Sequence, residues 1–527
     1  MSKIRSVFIA TVTIPFLAMA AAAFDFEIKS QNLRLISALS ENPDLLAFYE
    51  KRNFEPVWTG GDADSLTRVQ ALLAMLRIAP GHGLPYGEAD IQHLNALFGQ
   101  ISGPGGREIA EAEMAKFFVR FATAMHSGAV EPASVTKHIS RNRQPLAVAE
   151  LFAGINGLNP AGFLTSLAPD TLQYQQLRKT LKRLDFTIAH GGWGRLVRAQ
   201  SLSPGEQGEA VVQLRNRLIR MGYLSMSSAI GYSGGLVFAV KRFQKDHGLE
   251  PDGIADAKTL AAINVEPVER RKQIIAALER ERWLNRPRGE QHIRVNIADF
   301  QADVIHGGRS VFNTRVVVGQ SAGSLQTPEF SDEMTYVVIN PSWNVPRSIA
   351  TGELLPKLQA DATASPELLF IHPETGIVDR NSVDLAKYNS RDFPFQLKQP
   401  PGPNNALGQV KFMFPNRFNV YMHDTPLRGL FQRETRSFSH GCIRVHRAQD
   451  FAHFLLAQRF EKPGDIWKNT LASGDEKIIN LAEPLPVHII YRTAFIGDSG
   501  RVNYRNDIYG RDALVYSALA RMSVPSS

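Results

Sequence analysis

The sequence predicts a multidomain α+β protein that is helical in its first half and rich in strands in its second. Its 527 residues are too many for one hydrophobic core, so two to four domains are expected. Up to about residue 290, apolar residues recur at three-to-four spacing, as helices require. From residue 292 the pattern changes to alternating or β-branched runs between turn residues, which is typical of strands.

The first residues have the order of a secretory signal peptide. Lys3 and Arg5 precede the apolar run VFIATVTIPFLAMA, which leads into small residues. The run is short for the ~20 residues that cross a membrane as a helix. We therefore expect residues 1–23 to be a signal peptide, cleaved between Ala20 and Ala23, and the mature protein to be exported. An uncleaved membrane anchor is the alternative.

The composition is that of an ordinary soluble globular protein, with 44% hydrophobic and 21% charged residues. The formal net charge is +8, and residues 1–23 hold two of the positive charges and no acidic residue. Basic residues are scattered rather than gathered in a tract, which argues against a nucleic-acid surface. A modest positive charge suits an anionic polymer outside the cytoplasm, but solubility explains it equally well.

Residues 24–198 are predicted to form a helical scaffold. The segments LLAFYEKRNFEPVW, SLTRVQALLAMLRIA and EMAKFFVRFATAMHSGAV have helical periodicity, and APGHGLPYG and ISGPGG interrupt it. His82 and His126 are isolated and lack catalytic spacing. We expect both to be structural or exposed.

Residues 199–268 are predicted to form a compact three-helix module. Two amphipathic helices, in GEAVVQLRNRLIRMGYL and LVFAVKRFQKDHGL, precede a PDG turn and a third short helix. Phe238, Val240 and Phe243 are expected to face inward. The stretch FAVKRFQKDHGLEPDG is similar to the helical peptidoglycan-binding domain of many cell-wall enzymes, in helix order, in its Phe-Gln pair and in its GLxPDG turn. A linker domain that has lost glycan binding is the alternative.

Residues 269–290 are predicted to be a connector helix, and residues 291–515 a β-rich domain. The helix VERRKQIIAALERERW carries many charges, which we expect to face solvent. Strand patterns follow in HIRVNIADFQADVI, FNTRVVVG, MTYVVINPSW, NRFNVYMHD and GCIRVH, with an amphipathic helix in RAQDFAHFLLAQRF. LPVHIIYRTAFI and RVNYRNDIYG are expected to form a hairpin around GDSG. Residues 347–400 are irregular and partly helical, as in an insertion or a lid.

Cys442 is the single cysteine of the chain. It has no cysteine with which to form an intrachain disulfide, and a free thiol is a liability in an oxidising compartment, so reactivity is favoured over an inert buried role. In VYMHDTPLRGLFQRETRSFSHGCIRVHR, strand alternation puts Tyr421 and His423 on one face, and also His440 and Cys442 if that segment is extended. A nearby imidazole or positive field would favour the thiolate.

The glycine before the cysteine also has a chemical use. Gly441 permits a sharp turn, after which the Gly441 and Cys442 amides could point at a developing oxyanion. A group near Asp424 or Ser439 is available to orient a histidine base.

Two other kinds of site fit the pattern less well. A zinc site could draw on Cys442 with His423, His440 and His446, but no short ligand pair of metal type is present. A serine hydrolase needs a G-x-S-x-G elbow, and the candidate strands carry none.

The spaced histidine and cysteine resemble a known signature. His423, a gap of 15 residues (424–438) and then SHGCIR resemble the active site of L,D-transpeptidases, cysteine enzymes that cross-link peptidoglycan. INPSWNVP, PGPNNALGQVKFMFPN and YMHDTP are similar to the large Gram-negative members, as is the domain order. The resemblance covers nearly the whole mature chain and is weakest in its first 170 residues.

The resemblance implies a role for each residue of the signature. Cys442 would be the nucleophile and His423 the general base, oriented by the backbone carbonyl of Asp424. Ser439 and His440 would shape the turn together with Gly441, and the Gly441 and Cys442 amides would belong to the oxyanion hole.

Three further residues would contact the substrate. Arg444 would position a carboxylate or hold the turn, while Tyr421 and Trp343 would line the cleft, where packing is an equal alternative. His446 falls outside the signature and is expected to be structural or exposed.

The resemblance also implies a reaction and its partners. Cys442 would form a thioester with a tetrapeptide stem, release D-alanine, and pass the acyl group to a diamino-acid amine of another stem, giving a 3→3 cross-link. No metal or cofactor would be needed. Peptidoglycan stems and glycan would be the partners in the periplasm, carbapenems would be inhibitors, and no nucleic acid would bind. Water or a lipoprotein could replace the amine acceptor, and a non-catalytic wall-binding protein is a further alternative.

Overall fold

The computed structural model describes residues 32–522, and the signal-peptide prediction lies outside this range. The described residues begin in a helix, α1, that ends at residue 39. The scaffold region continues with α2 Pro43–Lys51, α3 Ala63–Ile78, α4 Glu88–Gly99, α5 Gly106–Ser127, α6 Pro132–Val135, α7 Val148–Ile155, α8 Pro160–Ser166 and α9 Leu172–Ala189. Phe118 and Phe121 on α5 are fully buried at the centre of this region. The helical class predicted for this first region is therefore confirmed, with its last helix ending at residue 189.

The scaffold contains one buried carboxylate with a clear structural purpose. Glu111 on α5 is 2% exposed and accepts hydrogen bonds from the backbone amides of Val57, Trp58 and Thr59. These amides replace the hydrogen bonds to water that the carboxylate loses when it is buried. Glu111 thus fixes the loop between α2 and α3.

The three-helix module consists of α10 Glu209–Arg220, α11 Gly234–Asp246 and α12 Ala257–Asn264. Val240 and Phe243 are buried as expected, but Phe238 is 70% exposed, so its predicted inward orientation was wrong. Five helical positions separate Phe238 from Phe243, which turns the two side chains well apart around α11. Gln244 is buried and bonds to the amide of Gly253, which explains its position before the PDG turn.

The connector helix, α13 Pro267–Trp283, packs against α9 of the scaffold and against the C-terminal helix of the chain. Its charged side chains were predicted to face solvent, but five of the eight on this helix are buried, and four of those five form ion pairs. Arg282 pairs with Glu279, and Arg280 pairs with Asp512 from the C-terminal helix. Charged side chains enter a protein interior when partners neutralise them. The partner of Arg280 lies far away along the chain, where sequence periodicity gives no sign of it.

The β-rich region from residue 291 is built on a closed ring of strands. The strands are β1 Gln291–Asn296, β2 Gln301–His306, β3 Arg309–Gly319, β4 Phe330–Ile339, β5 Trp343–Asn344, β6 Leu369–His372, β7 Gly376–Val378, β8 Gln396–Gln399, β9 Val410–Met413, β10 Met422–His423, β11 Ser437–Ser439, β12 Ile443–Val445 and β13 Lys477–Ile490. The main sheet has the order β11-β3-β12-β10-β9-β4-β13-β1-β2, and β2 also pairs with β3, which closes the ring. Helices α16 Ala448–Leu456 and α17 Pro463–Ser473 pack against it.

The insertion after β5 has a core and a sheet of its own. It contains α14 Arg347–Ile349, a π-helical turn Ala350–Leu354, α15 Leu355–Ala360, and a four-stranded sheet in the order β5-β8-β6-β7. The partly helical character was expected, but the sheet was not. Its strands are only two to four residues long, too short to show alternation.

The C-terminal hairpin is shorter than predicted. It consists of β14 Ala494–Ile496 and β15 Val502–Tyr504, and α18 Arg511–Met522 follows. The preceding residues 485–490 belong to β13 and pair with β4 and β1 in the main sheet. Within residues 32–522, no helix has the length and apolar character needed to cross a membrane.

Candidate active site

Two neighbouring strands present the candidate catalytic residues. β10 and β12 run parallel, with Met422 opposite Ile443 and His423 opposite Arg444. Met422 and Ile443 are fully buried in the barrel core. Because side chains alternate along a strand, the other face carries Tyr421, His423, Cys442 and Arg444. These four residues therefore line one surface of the sheet.

A turn between β11 and β12 carries the cysteine. Gly441 has φ +112°, a value that favours glycine, and it separates the two short strands. The segment is therefore not extended, so the condition under which His440 and Cys442 would share a face is not met. His440 Nε2 contacts Glu353 in the insertion, whereas Cys442 Sγ lies 3.7 Å from the carbonyl oxygen of Asn419.

Two hydroxyl groups hold this turn. Ser439 Oγ donates to the Cys442 carbonyl oxygen at 2.5 Å and accepts from the Gly441 amide at 3.2 Å. Thr327 Oγ1 donates to the Gly441 carbonyl oxygen at 2.8 Å and accepts from the Gly319 amide at 2.9 Å. The Gly441 amide is thus engaged, while the Cys442 amide meets no acceptor in the described part of the chain. An oxyanion would find its free donor at Cys442.

His423 is held in the tautomer that a base requires. Its Nδ1 donates to the carbonyl oxygen of Asp424 at 2.5 Å, which leaves Nε2 as an acceptor. Burial, together with the nearby Arg444 cation, lowers the pKa of His423 to about 3. The Asp424 carboxylate accepts from the Gln409 amide and pairs with Arg428 at 2.6 Å. The imidazole is therefore oriented, neutral and able to accept a proton.

The thiol rests in its protonated form. Burial raises the pKa of Cys442 to about 11, although hydrogen bonds from Tyr421 and the charge of Arg444 oppose this rise. Cys442 directly precedes β12, and the neighbouring strand β10 carries His423. The resting pair is a neutral thiol and a neutral imidazole.

The substrate-facing residues named from the sequence also meet at this surface. Arg444 Nε is buried without a hydrogen-bond partner among the described residues, so part of the guanidinium is left for an anion. Tyr421 hydrogen-bonds both Cys442 and Trp343, and its ring lies 5.6 Å from that of His423. Trp343 lies on β5, which pairs with β8 of the insertion, so the sheet shared with the insertion forms one wall of the site.

The remaining histidines lie elsewhere. His446 is exposed, and its ring packs 4.9 Å from that of Phe431. His82 is buried, and its Nδ1 forms a hydrogen bond with the hydroxyl of Tyr174. The Nδ1 of His126 lies within hydrogen-bond distance of the side-chain amide of Asn285. Across residues 32–522, no cluster of three or more histidine, cysteine or acidic side chains could hold a metal ion.

Sequence reasoning missed the residues that support the turn from a distance. Tyr509 donates to the Gly319 carbonyl oxygen at 2.6 Å, and Arg511 donates to the Thr327 carbonyl oxygen at 2.8 Å. Glu353 reaches His440 from the insertion. These residues lie dozens of positions or more from the signature and have no motif of their own, so no sequence signal could have identified them.

Comparisons with known proteins agree with this geometry. Residues 290–479 match the model of the "L,D-transpeptidase catalytic domain" family, residues 43–181 that of the "Scaffold domain", and residues 207–263 that of the "Putative peptidoglycan binding domain". A Haemophilus influenzae protein named "Putative L,D-transpeptidase" is 35% identical over 223 residues, which cover 42% of this chain and 44% of that protein. The match thus spans less than half of the relative's length.

Solved structures with distant similarity carry the same family name. An L,D-transpeptidase from Xylanimonas cellulosilytica is 15% identical, with coverage of 55% of this chain and 98% of that chain and a TM-score of 0.18. One from Stackebrandtia nassauensis is 13% identical, with coverage of 55% and 96% and a TM-score of 0.22. Scores this low support no conclusion by themselves. The family matches confirm the resemblance noted in the sequence: the chain combines an L,D-transpeptidase catalytic domain with a scaffold domain and a peptidoglycan-binding domain.

Proposed function

We propose that this protein is a cysteine L,D-transpeptidase that makes 3→3 cross-links in peptidoglycan in the periplasm. The observation that carries the proposal is the placement of His423 on β10 and of Cys442 directly before the adjacent strand β12, in a region that matches the catalytic-domain family. The Nδ1 hydrogen bond to Asp424 supports the role of His423 as base, because it leaves Nε2 free to accept the thiol proton. The peptidoglycan-binding match supports a wall substrate.

Acylation follows from these groups. His423 Nε2 takes the Cys442 proton as sulfur attacks the carbonyl of the third stem residue. The Cys442 amide donates to the resulting oxyanion. When the tetrahedral intermediate collapses, the peptide C–N bond breaks and the imidazolium gives its proton to the departing D-alanine amine. A thioester on Cys442 and a neutral His423 remain.

In the transfer of the acyl group, the proton moves in the opposite direction, from the acceptor amine through His423 to sulfur. The side-chain amine of a second stem attacks the thioester carbonyl, and His423 takes a proton from that amine. The C–S bond breaks, sulfur regains the proton, and the new amide is the cross-link. Arg444 is suited to hold a stem carboxylate during both steps, since a guanidinium binds carboxylates in a fixed geometry.

Product analysis tests this function. The full chain is incubated with a purified disaccharide-tetrapeptide, and the products are analysed by mass spectrometry. We expect a Cys442 thioester, free D-alanine and 3→3 dimers from the wild type, and none from Cys442→Ala or His423→Ala. His446→Ala is the matched control, because this exposed histidine lies outside the site. Dimers from Cys442→Ala would disprove the assignment.

The acceptor is tested in the same experiment. Tripeptide without dimer would indicate that water takes the acyl group, and the enzyme would then be an L,D-carboxypeptidase. An added lipoprotein amine that outcompetes the stem amine would indicate a linking enzyme. All three outcomes use the same acyl-enzyme, so the acyl-enzyme alone does not separate them.

A further inference from the structure

A cavity of about 470 Å³ lies where three parts of the molecule meet. Its walls come from α9 of the scaffold, the ends of α10 and α11 in the three-helix module, α13, and the C-terminal hairpin. The volume falls in the ~300–1,000 Å³ range of small-molecule sites. No residue of the candidate active site lines it.

The lining is strongly cationic. Five basic side chains and no carboxylate contribute to it: Lys179, Arg183, Arg220, Arg270 and Arg501. Three of the five have other partners: Arg501 pairs with Asp246 at 2.6 Å, Arg270 lies 4.5 Å over the ring of Tyr504, and Arg220 donates to the Gly192 carbonyl oxygen at 3.5 Å. The charge of the cavity is therefore only partly balanced by the protein.

Lys179 and Arg183 carry the unbalanced charge. Both are exposed on α9, and neither side chain forms a hydrogen bond or ion pair with another described residue. They are four positions apart, so they occupy the same helix face, where like charges destabilise a helix. An anion between them would remove this repulsion and would accept hydrogen bonds from both.

The remaining walls are aromatic. Trp193, Tyr223 and Tyr504 line the cavity, and each is less than 10% exposed. Their faces suit the aliphatic or sugar part of a ligand, while the cations suit its acidic groups. These walls suit an amphipathic molecule of modest size with at least one carboxylate.

We propose that this cavity is a second binding site, separate from the catalytic cleft, for the carboxylate-bearing peptide stem of peptidoglycan. The choice of ligand rests on the proposed function in one respect, namely that the substrate is peptidoglycan. The three-helix module supplies one wall, so the cavity adjoins the part of the chain that matches a peptidoglycan-binding domain. Arg183 is the main anchor because guanidinium groups bind carboxylates in a bidentate manner.

Calorimetric titration of the full chain tests the site. All proteins carry Cys442→Ala to prevent turnover, and the ligand is a disaccharide-tetrapeptide with free carboxylates. We expect Arg183→Gln to weaken binding about tenfold, which corresponds to ~1.4 kcal/mol. Lys182→Gln is the matched control: it removes a neighbouring exposed charge from the same helix but lies outside the lining. It should change affinity by less than about twofold, as an exposed charge without a ligand contact does.

A second titration changes the ligand and keeps the protein constant. The disaccharide-tetrapeptide with amidated carboxylates should bind the parent protein about as weakly as the free acid binds Arg183→Gln. Equal affinities of Arg183→Gln and the parent protein, or equal binding of the amidated ligand, would overturn the proposal.

Activity separates this proposal from the function of the enzyme. With Cys442 intact, Arg183→Gln should make 3→3 dimers from soluble stems at the wild-type rate, because the cavity contains no catalytic group. Absence of dimers from the wild type with normal cavity binding would refute the function alone. Normal dimers with no effect of Arg183→Gln on binding would refute the cavity site alone.

Discussion

Thr327→Val tests whether a remote hydroxyl holds the nucleophile turn. Thr327 is fully buried, and its hydroxyl joins the Gly441 carbonyl to the Gly319 amide. Valine keeps the shape but leaves both backbone groups buried and unbonded. Each such loss costs about 1–3 kcal/mol, so we expect the catalytic domain to lose about 2–5 kcal/mol of unfolding free energy.

The same substitution should slow catalysis more than it slows substrate binding. Without the hydrogen bond from Thr327, the Gly441 carbonyl can rotate and shift the Cys442 amide away from the oxyanion. A misplacement of this kind, of about 1 Å, costs on the order of a hundredfold in rate. Carbapenem acylation of Cys442, followed by mass spectrometry, measures the rate, and urea denaturation measures the stability.

Thr470→Val is the control for Thr327→Val. Thr470 is also buried, but its hydroxyl bonds to the carbonyl of Ile466 within one helix, far from the turn. We expect wild-type acylation and a loss of stability below about 1 kcal/mol. If Thr327→Val acylates as fast as Thr470→Val, the hydroxyl does not position the turn and the reasoning is refuted.

Three further predictions follow from the site. Because the pKa of His423 is lowered to about 3, the base stays neutral above that value, and the acylation rate should show no inflection near pH 6.5. Glu353→Gln weakens a half-exposed hydrogen bond with His440, so acylation should fall by no more than about fivefold. Gly408→Ala places a Cβ 2.3 Å from Asp424 Oδ2 at φ +62° and should cost about 2 kcal/mol or more in unfolding free energy, with slower acylation.

Each of these has an outcome that contradicts it. A rate that rises through pH 6.5 would mean that His423 titrates as an exposed imidazole. A loss above about thirtyfold in Glu353→Gln would make that contact essential rather than peripheral. Gly307→Ala is the control for Gly408→Ala, since φ is +55° but no atom lies within 4 Å of the added Cβ. Equal costs at the two glycines would attribute the effect to backbone strain and not to Asp424.

The lowered pKa of His423 also has a consequence for stability. The folded-state value of about 3 lies below the ordinary value of 6.5, so the unfolded chain binds a proton that the folded chain does not. The contribution of His423 to stability is complete above pH 6.5 and is lost as the pH falls toward 3. Acid unfolding of wild type and His423→Gln measures it: the variant should lose less stability over this range, and parallel curves would contradict this expectation.

The sequence by itself determined the features that depend on neighbouring residues. Helical and strand periods gave the α+β class, and the short-range pattern around Cys442 led to the family, since these signals lie within a few turns or one strand. Alternation also placed Tyr421 and His423 on one face. Gly441 was recognised as a turn residue, although its effect on the face of His440 was not foreseen.

Only the tertiary structure decided which distant groups meet. The charges of α13 are buried because Asp512 and other partners come from elsewhere in the chain. Thr327 secures Gly441 across more than a hundred residues, and the insertion brings Glu353 to the turn. The basic cavity likewise exists because separate segments fold together. Local periodicity does not predict such pairings, because each residue alone is compatible with many partners and the packing of the folded chain selects one.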